Sequence, residues 1–451
     1  MSTSPDLIIS KWRNYEKIIF RFLFIFFILQ AVPLDCKYYA NIFSIHWADL
    51  HYRDIFYISR YTPQFLDGSY VKGVWGLATL ADWILITGIA LAGTIVWSFR
   101  DRKTTQYSVL YNWLRVILRY RLAIGIIGYG FIKFFPLQAP YPSISNLNTS
   151  YGDFSDWKLF SMSLGIVPGY ESFLGGVEIL AGLLLLYRRT ATIGALIILV
   201  FTGNVFMSNL AYGGGEHLYS LALVSFALFI LSFDVIRIYQ LISLEEPTAP
   251  NQFKLFLTKK QNVVRLVLKS LVIFFFLFLY GFKTYSGYHH DPYQFPQAKG
   301  IKKASGIYNV SEFRINQKIL PYSATDAVRW KDVVFEKWAT ISIRSNKAVI
   351  ADAADHEEMP LGDKNRDYES AGTTGRQYYS YTTDTLQHRI LLENKNKHYR
   401  GEKLELNYER PDSATIILRG VDQHRDSLYV VLHKIDKKYP LSLGRRKTLK
   451  L

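Results

Sequence analysis

The chain has 451 residues, of which 49% are hydrophobic, 16% are aromatic and one is cysteine, and its formal net charge is +16. A single cysteine excludes an intrachain disulfide, a Cys-x-x-Cys thiol-exchange motif and a zinc site built from cysteines. Residues 1 to about 288 contain seven long apolar segments, whereas residues 289–451 are polar and interrupted by turns. This division is typical of a membrane domain followed by a soluble one.

Each apolar segment is near or above the ~17 residues that a tilted helix needs to cross about 30 Å of hydrocarbon. The segments are 18–34, 73–98, 114–135, 171–187, 191–211, 218–240 and 266–285. Aromatic residues such as Trp75 and Trp97 lie at their ends, as interfacial anchors do. We expect an α-helical membrane bundle of about seven helices, divided into a six-helix domain at 1–242, a cytoplasmic linker at 243–265 and a seventh helix at 266–288.

The basic residues predict the orientation of the chain. If the amino terminus is cytoplasmic, the cytoplasmic stretches of residues 1–288 hold 18 lysines and arginines, and the external stretches hold seven. This asymmetry follows the positive-inside rule, and seven crossings then place residues 289–451 outside. Because the positive charge is explained by orientation, we expect no nucleic-acid partner.

Three loops have distinct compositions. Residues 36–72 are rich in aromatic side chains and are expected to lie against the bilayer surface. Residues 136–170 are expected to form an ordered loop with a short helix at 154–164. Residues 353–375, which are polar and rich in glycine, are expected to be mobile.

After Tyr288, short runs of alternating polarity such as EKLELNYE, ATIILRG and SLYVVLHKI are separated by turn signals. Seven or eight such strands, about ten residues apart, predict an all-β extracytoplasmic domain at 289–451. The expected form is an antiparallel up-and-down barrel or a sandwich.

One carboxylate, Glu178, lies within the apolar run FLGGVEILAGLLLLYRR. A charge at membrane depth costs roughly 3 kcal/mol or more on insertion scales, so a partner is expected. Gly175 and Gly182 lie on the same helix face as Glu178, and such small residues allow another helix to approach. The third segment supplies the predicted counter-ion, Lys133, whose long side chain can reach inward.

Further polar groups fall in the same outer half of the helices, and together they predict an outward-facing polar pocket. They are Gln30, Asp82, Asn204, Ser208 and Asn209 within the spans, and Glu216 and His217 in the YGGGEH loop. A structural interpretation is open for each: the predicted ion pair would be a clamp, Asn204 an interhelical hydrogen-bonding residue and His217 an interfacial residue. No motif typical of a metal site or of a phosphate-binding loop occurs in the sequence.

The runs YRLAIGIIGYGFIKFF, YESFLGGVEILAGLLLLYRR and HLYSLALVSFALFIL resemble the DoxX-like integral membrane family over roughly residues 115–240. The shared pattern is an arginine that opens a Gly-rich helix ending in lysine, followed by a Gly-Gly-x-Glu helix and a basic turn. The whole chain resembles a Bacteroidetes-type subgroup with a β-rich carboxyl-terminal extension. The resemblance implies a bacterial inner-membrane location and a family polar set of Arg121, Lys133, Glu178 and Asn204.

The members that give the family its name are small subunits of a thiosulfate:quinone oxidoreductase. The resemblance therefore implies an accessory of a membrane redox system that is associated with a quinone or another small ligand. The alternative is a non-enzymatic membrane scaffold or transport accessory whose β-domain binds an envelope partner or a hydrophobic ligand. Whether the protein is an enzyme stays open, since the sequence contains no recognisable haem, flavin or metal ligand set. The expected partners are the lipid bilayer and a redox or envelope protein.

Overall fold

The computed structural model describes residues 12–66, 77–249, 257–293, 296–352, 359, 362 and 365–443. The chain forms two compact units, each of which is discontinuous in sequence. The first comprises Met1–Phe131 and Gly175–Thr284, and the second comprises Ile132–Leu174 and Tyr285–Leu451. The start of the second predicted apolar segment, including Trp75, lies outside the described residues, as does most of 353–364.

Helices account for nearly all of the first unit, and short helices also occur in the second. In chain order they are α1 (Asn14–Ala31), α2 (Cys36–Ser44), α3 (Tyr52–Ser59), α4 (Ala81–Arg100), α5 (Ser108–Phe134), α6 (Ile144–Leu147), α7 (Asp156–Gly165), α8 (Pro168–Leu186), α9 (Ala191–Ala211), α10 (His217–Ser232), α11 (Val235–Ser243), α12 (Lys259–Ile273), α13 (Tyr280–His290) and α14 (Pro440–Leu443). A π-helical stretch, Phe274–Leu279, joins α12 to α13. The predicted short helix at 154–164 is α7.

Several of these helices are long and apolar enough to cross a membrane, which confirms the helical, membrane-type character of this region. Five candidate spans are Asn14–Ser44, Ala78–Arg100, Pro168–Leu186, Ala191–Ala211 and Lys259–His290, and α10 with α11 is a sixth if that pair, bent by 72°, is one span. Helix α5 is 27 residues long but carries several arginines, and it is not among these candidates. The count of seven spans and the location in a membrane stay predictions.

One face of helix α3 is buried inside the first unit. The side chains of Ile55 and Phe56 are fully buried and Tyr52 is 2% exposed, whereas Tyr57 is 40% exposed. The sequence YRDIFYIS places its apolar residues on one face with helical spacing, so that this face can pack against other helices. The expectation that residues 36–72 lie against the bilayer surface stays a prediction, and its last residues, 67–72, lie outside the described residues.

The second unit contains a closed antiparallel barrel. Its strands are β1 (Gly306–Ile315), β2 (Lys318–Ile319), β3 (Asp332–Phe335), β4 (Thr340–Arg344), β5 (Gln377–Asp384), β6 (Arg389–Asn394), β7 (Lys403–Glu409), β8 (Thr415–Val421) and β9 (Ser427–Lys434). Each strand from β3 to β8 pairs with the next, and β1 pairs with both β3 and β9, which closes an eight-stranded ring. Strand β2 pairs with β1 alone. The structure thus confirms the up-and-down barrel rather than the sandwich.

Alternating side chains fill the interior of the barrel. In β7, for example, Leu404, Leu406 and Tyr408 are buried, and the residues between them are exposed. The inward side chains of the other strands join them in one hydrophobic core. A barrel of eight strands is just wide enough for side chains to fill it, which accounts for this packed interior.

Candidate functional site

Three side chains of the first unit contact Glu216, two at its carboxylate and one at its backbone, and we call Arg60, Tyr129, Asn209 and Glu216 the Glu216 cluster. Arg60 Nε donates to Glu216 Oε2 over 3.1 Å, and the two residues form an ion pair. The Tyr129 hydroxyl donates to the same oxygen over 2.9 Å. The Glu216 backbone N–H donates to Asn209 Oδ1 over 3.3 Å. A carboxylate that is 6% exposed is thereby paired and hydrogen-bonded.

The local sequence explains how Glu216 reaches this position. Helix α9 ends at Ala211, and Gly213 follows it with a φ of +68°, a left-handed conformation that glycine adopts without strain. The turn then begins α10, with Glu216 as the residue before its first turn. The GGG run therefore turns the chain between α9 and α10 and positions Glu216 next to α5. The sequence pattern alone does not predict this role.

Arg121, a predicted site residue, lies beside this cluster and hydrogen-bonds the carboxyl-terminal end of α3. Its guanidinium donates to the carbonyl oxygens of Ser59 and Tyr61 over 2.7 and 2.8 Å. Ser59 is the last residue of α3 and Tyr61 lies two residues beyond it, where backbone acceptors have no helical partner. A Cβ at Gly128 of α5 would collide with the Ser59 side chain, so glycine at this position allows α3 to pack closely against α5. Arg121 thus positions the segment that carries Arg60.

The other predicted polar residues have different surroundings. His217 is 8% exposed, and its Nδ1 lies 3.2 Å from the carbonyl oxygen of Gly214. Asp82 accepts hydrogen bonds from the backbone N–H groups of Phe65 and Leu66, over 2.9 and 3.0 Å. The Asn204 side chain is exposed on α9, whereas Asn209 is buried in the cluster.

Glu178 and Lys133 are both buried, at 4% and 8% exposure. The glycine face around Glu178 packs as the sequence predicts: a Cβ at Gly182 would meet the Ile127 side chain at 2.5 Å, and one at Gly130 would meet the Gly175 carbonyl oxygen at 3.2 Å. Glu178 belongs to the first unit and Lys133 to the second. The ion pair between them stays a prediction.

Sequence reasoning missed a second set of buried charges, which lies in the second unit. Lys158 of α7 is fully buried, donates to the Tyr368 carbonyl oxygen and has its Nζ 3.9 Å from the centre of the Tyr368 ring. The nearby Glu369 is also fully buried, forms an ion pair with Arg366 and has Lys395 Nζ at 3.8 Å. We call these five residues the Lys158 network.

Burial lowers the pKa of Lys158 to about 7, although Glu369 and Asp367 act in the opposite direction. Burial acts to raise the pKa of Glu369, but Arg366, Lys395 and Lys158 outweigh it and hold this pKa below its usual value. Because Lys158 and Glu369 are inaccessible to solvent, this network is suited to fixing structure rather than to reacting with a ligand.

Few features of the sequence predict the contacts of Arg60 or the burial of Lys158. Arg60 could have been suspected because it is a charged residue in an aromatic stretch, but nothing local pairs it with Glu216, 156 positions later. Lys158 lies in a polar loop, where lysine is usually exposed. Among the residues that the structure describes, no group of three or more His, Cys, Asp and Glu side chains is placed to hold a metal ion.

The fold and the cluster together define a protein with an apolar helical unit, a buried charged site within that unit, and a closed β-barrel unit. No protein-family model, curated protein or solved structure matches the chain. The resemblance to the DoxX-like family, with the functional residues that it implies, stays a prediction.

Proposed function

We propose that this chain is a multi-pass bacterial inner-membrane protein whose helical unit binds a small polar or quinone-like ligand, as an accessory of a membrane redox system. The observation that supports the proposal is the Glu216 cluster. Charged side chains within apolar helical bundles are expensive, and they mark ligand or ion sites more often than surface charges do. Glu178, which is also buried in the helical unit, is a second candidate residue for ligand binding.

The cluster has the chemistry that such a ligand needs. The phenol of Tyr129 and the guanidinium of Arg60 are hydrogen-bond donors, and the Glu216 carboxylate is an acceptor that can also take up a proton. A quinone carbonyl would accept from the donors, and a quinol hydroxyl would donate to the carboxylate. Any electron transfer would be the chemistry of the quinone and of a partner, with these residues supplying binding and proton exchange.

Quinone titration of the detergent-purified full-length protein tests the proposal. Decylubiquinone is added while tryptophan fluorescence is followed, and quinone that co-purifies is quantified by mass spectrometry. We expect saturable quenching in the wild type and its loss in Glu216→Gln and Glu178→Gln. The matched control is Asp101→Asn, which neutralises a carboxylate of the same unit that accepts from the Tyr107 hydroxyl over 2.7 Å. Absence of binding in the wild type, or equal loss in all three variants, would overturn the proposal.

A scaffold or transport accessory is the second candidate, and one observation favours it. Leu386, at the tip of the β5–β6 hairpin, is 92% exposed. The core fills the barrel interior, so a partner of this unit would bind its outer surface. If this function is right, one envelope protein co-purifies with the full-length chain, Leu386→Glu abolishes its recovery and the neighbouring Gln387→Glu does not. Equal recovery with all three proteins would exclude Leu386 as the contact.

A further inference from the structure

Basic side chains from separate helices of the first unit converge on Asp234, at the break between α10 and α11. Arg115 Nη2 of α5 lies 3.1 Å from Asp234 Oδ2, and Arg237 Nη1 of α11 lies 2.9 Å from Oδ1. The Thr192 hydroxyl, at the start of α9, donates to Oδ2 over 2.6 Å. Arg115 also lies 3.8 Å from the centre of the Phe233 ring. These contacts bring one end of α5, α9 and α10 together.

This cluster has more positive charge and more hydrogen-bond donors than Asp234 can satisfy. Arg119 lies one helical turn beyond Arg115 and forms no ion pair within the part of the chain that the structure describes; its contact is with Tyr120. Arg188, in the turn between α8 and α9, acts electrostatically on both Arg115 and Arg119.

The Nε atoms of three of these arginines, Arg115, Arg119 and Arg237, are buried and have no hydrogen-bond acceptor among the residues that the structure describes. A buried donor left in this state is unfavourable, and more so when it is charged. Three such donors in one cluster therefore call for an anionic ligand with several acceptor oxygens.

The position of the cluster indicates where that ligand comes from. It lies at the end of the helical unit that contains the α8–α9 turn, which the distribution of lysine and arginine places at the cytoplasmic membrane surface. Helix α11 turns away from α10 by 72°. Its apolar side chains Val235, Ile236, Tyr239 and Ile242 recur with helical spacing and are all more than half exposed. A short helix of this kind lies in the interface with its apolar face among the lipid chains.

We infer that this cluster binds the phosphate group of an anionic phospholipid in the cytoplasmic leaflet. Guanidinium groups match the geometry of phosphate and bind it through paired N–H donors. Basic pockets between transmembrane helices on this side of a membrane bind such headgroups. Helix α11 would hold the acyl chains beside the phosphate. This site is separate from the Glu216 cluster and does not depend on the function proposed above.

Native mass spectrometry of the full-length protein tests the inference, with phosphatidylglycerol and phosphatidylcholine titrated in parallel. We expect the wild type to retain phosphatidylglycerol preferentially. Arg119→Gln and Arg188→Gln should each weaken its binding about fivefold, since one basic residue contributes roughly 1 kcal/mol toward anionic lipid. Arg188 is exposed, so its variant should keep the wild-type melting temperature even if Arg119→Gln unfolds.

The matched control is Arg265→Gln, which removes the same charge from an exposed position on α12. This variant should bind phosphatidylglycerol as the wild type does. Equal weakening in Arg265→Gln, or equal retention of the two lipids by the wild type, would contradict a defined site. Displacement of the lipid by inorganic phosphate alone would show that the ligand is a soluble phosphate and would also overturn the inference.

Discussion

Ser145 donates both its backbone N–H and its hydroxyl to one oxygen of Glu336, over 2.7 and 2.6 Å. The backbone N–H of Ile144 donates to the other oxygen over 3.3 Å. A segment between two apolar helices thus supplies the partners of a buried carboxylate at the end of β3. Burial raises the pKa of Glu336, and the hydrogen bonds from Ser145 act against this rise.

Ser145→Ala should destabilise the barrel unit. The substitution removes one hydroxyl donor from Glu336 and breaks the 2.8 Å contact between the Ser145 and Ser342 hydroxyls. Loss of a hydrogen bond to a buried charged group costs about 1–3 kcal/mol. Hydrogen–deuterium exchange of the full-length protein should show faster exchange in β3 and β4. Ser311→Ala, which removes an exposed hydroxyl, is the control, and equal exchange in the two variants would contradict this assignment.

The stability of the second unit should depend on pH through Lys158. The folded-state pKa is about 7 and the ordinary value is 10.5, so between these values the unfolded chain holds a proton that the folded chain has lost. The free energy of unfolding therefore rises with pH across this window, by at most about 1.4 kcal/mol per pH unit. Below pH 7 both states are protonated, and the cost of burying the charge is fully present.

Thermal unfolding of Lys158→Met between pH 6 and pH 9 measures this contribution. The variant should lack the rise that the wild type shows above about pH 7. Lys403→Met, at a half-exposed lysine of β7, should keep it. If the pH dependence is the same in Lys158→Met and in the wild type, another group controls it.

Because α5 and α8 pack closely at Gly130, we expect a larger side chain at this position to destabilise the protein. A Cβ at this position would lie 2.7 Å from Ile179 Cγ1 and 3.0 Å from the Ile179 backbone nitrogen, so Gly130→Ala must push the helices apart. The expected loss is about 1–3 kcal/mol, the usual cost of overpacking. Gly88→Ala, in α4, meets nothing within 4 Å and should be neutral or slightly stabilising, since alanine favours helix. Melting temperatures in detergent distinguish the two, and equal values would exclude a close contact.

The single cysteine offers a test of orientation. Cys36 is exposed, and the charge distribution predicts that it lies outside the membrane. A membrane-impermeant maleimide should label it in intact cells. A chain with Cys36→Ser and Thr105→Cys carries its thiol between α4 and α5, on the predicted cytoplasmic side, and should be labelled only after lysis. The reverse pattern would invert the topology and remove the basis for a cytoplasmic lipid site.

Elements with a regular pattern were predictable from the sequence. Strand β7 alternates strictly, and α9 begins and ends at the residues expected from its apolar run, 191–211. The run VVFEKWATISIR contains no residue that would divide it, yet it forms two strands, β3 and β4. Its turn, Glu336 to Ala339, contains no glycine, proline, asparagine or aspartate, so no local signal marks the reversal.

The candidate sites were predictable only in part. Glu216 and Arg121 could be singled out because a charge in or near an apolar segment is unusual. The contact of Arg60 with Glu216 could not be predicted, because it depends on how α3 packs between helices. Residues 365–375, predicted as part of a mobile loop, contain the buried Tyr368 and Glu369. The polarity of this segment predicted an exposed loop, whereas its buried charges are paired with side chains that the sequence pattern does not identify.

The hydrogen bonds between Ser145 and Glu336 can form only after Glu336 has been synthesised. The two residues are 191 positions apart, and a ribosome adding about 5–20 residues per second needs roughly 10–40 seconds to supply the second after the first. Through that interval the segment before α8 has already been translated while its acceptor has not. Nascent chains therefore carry this segment without its native contacts, and a chaperone that shields it should raise the yield of folded protein.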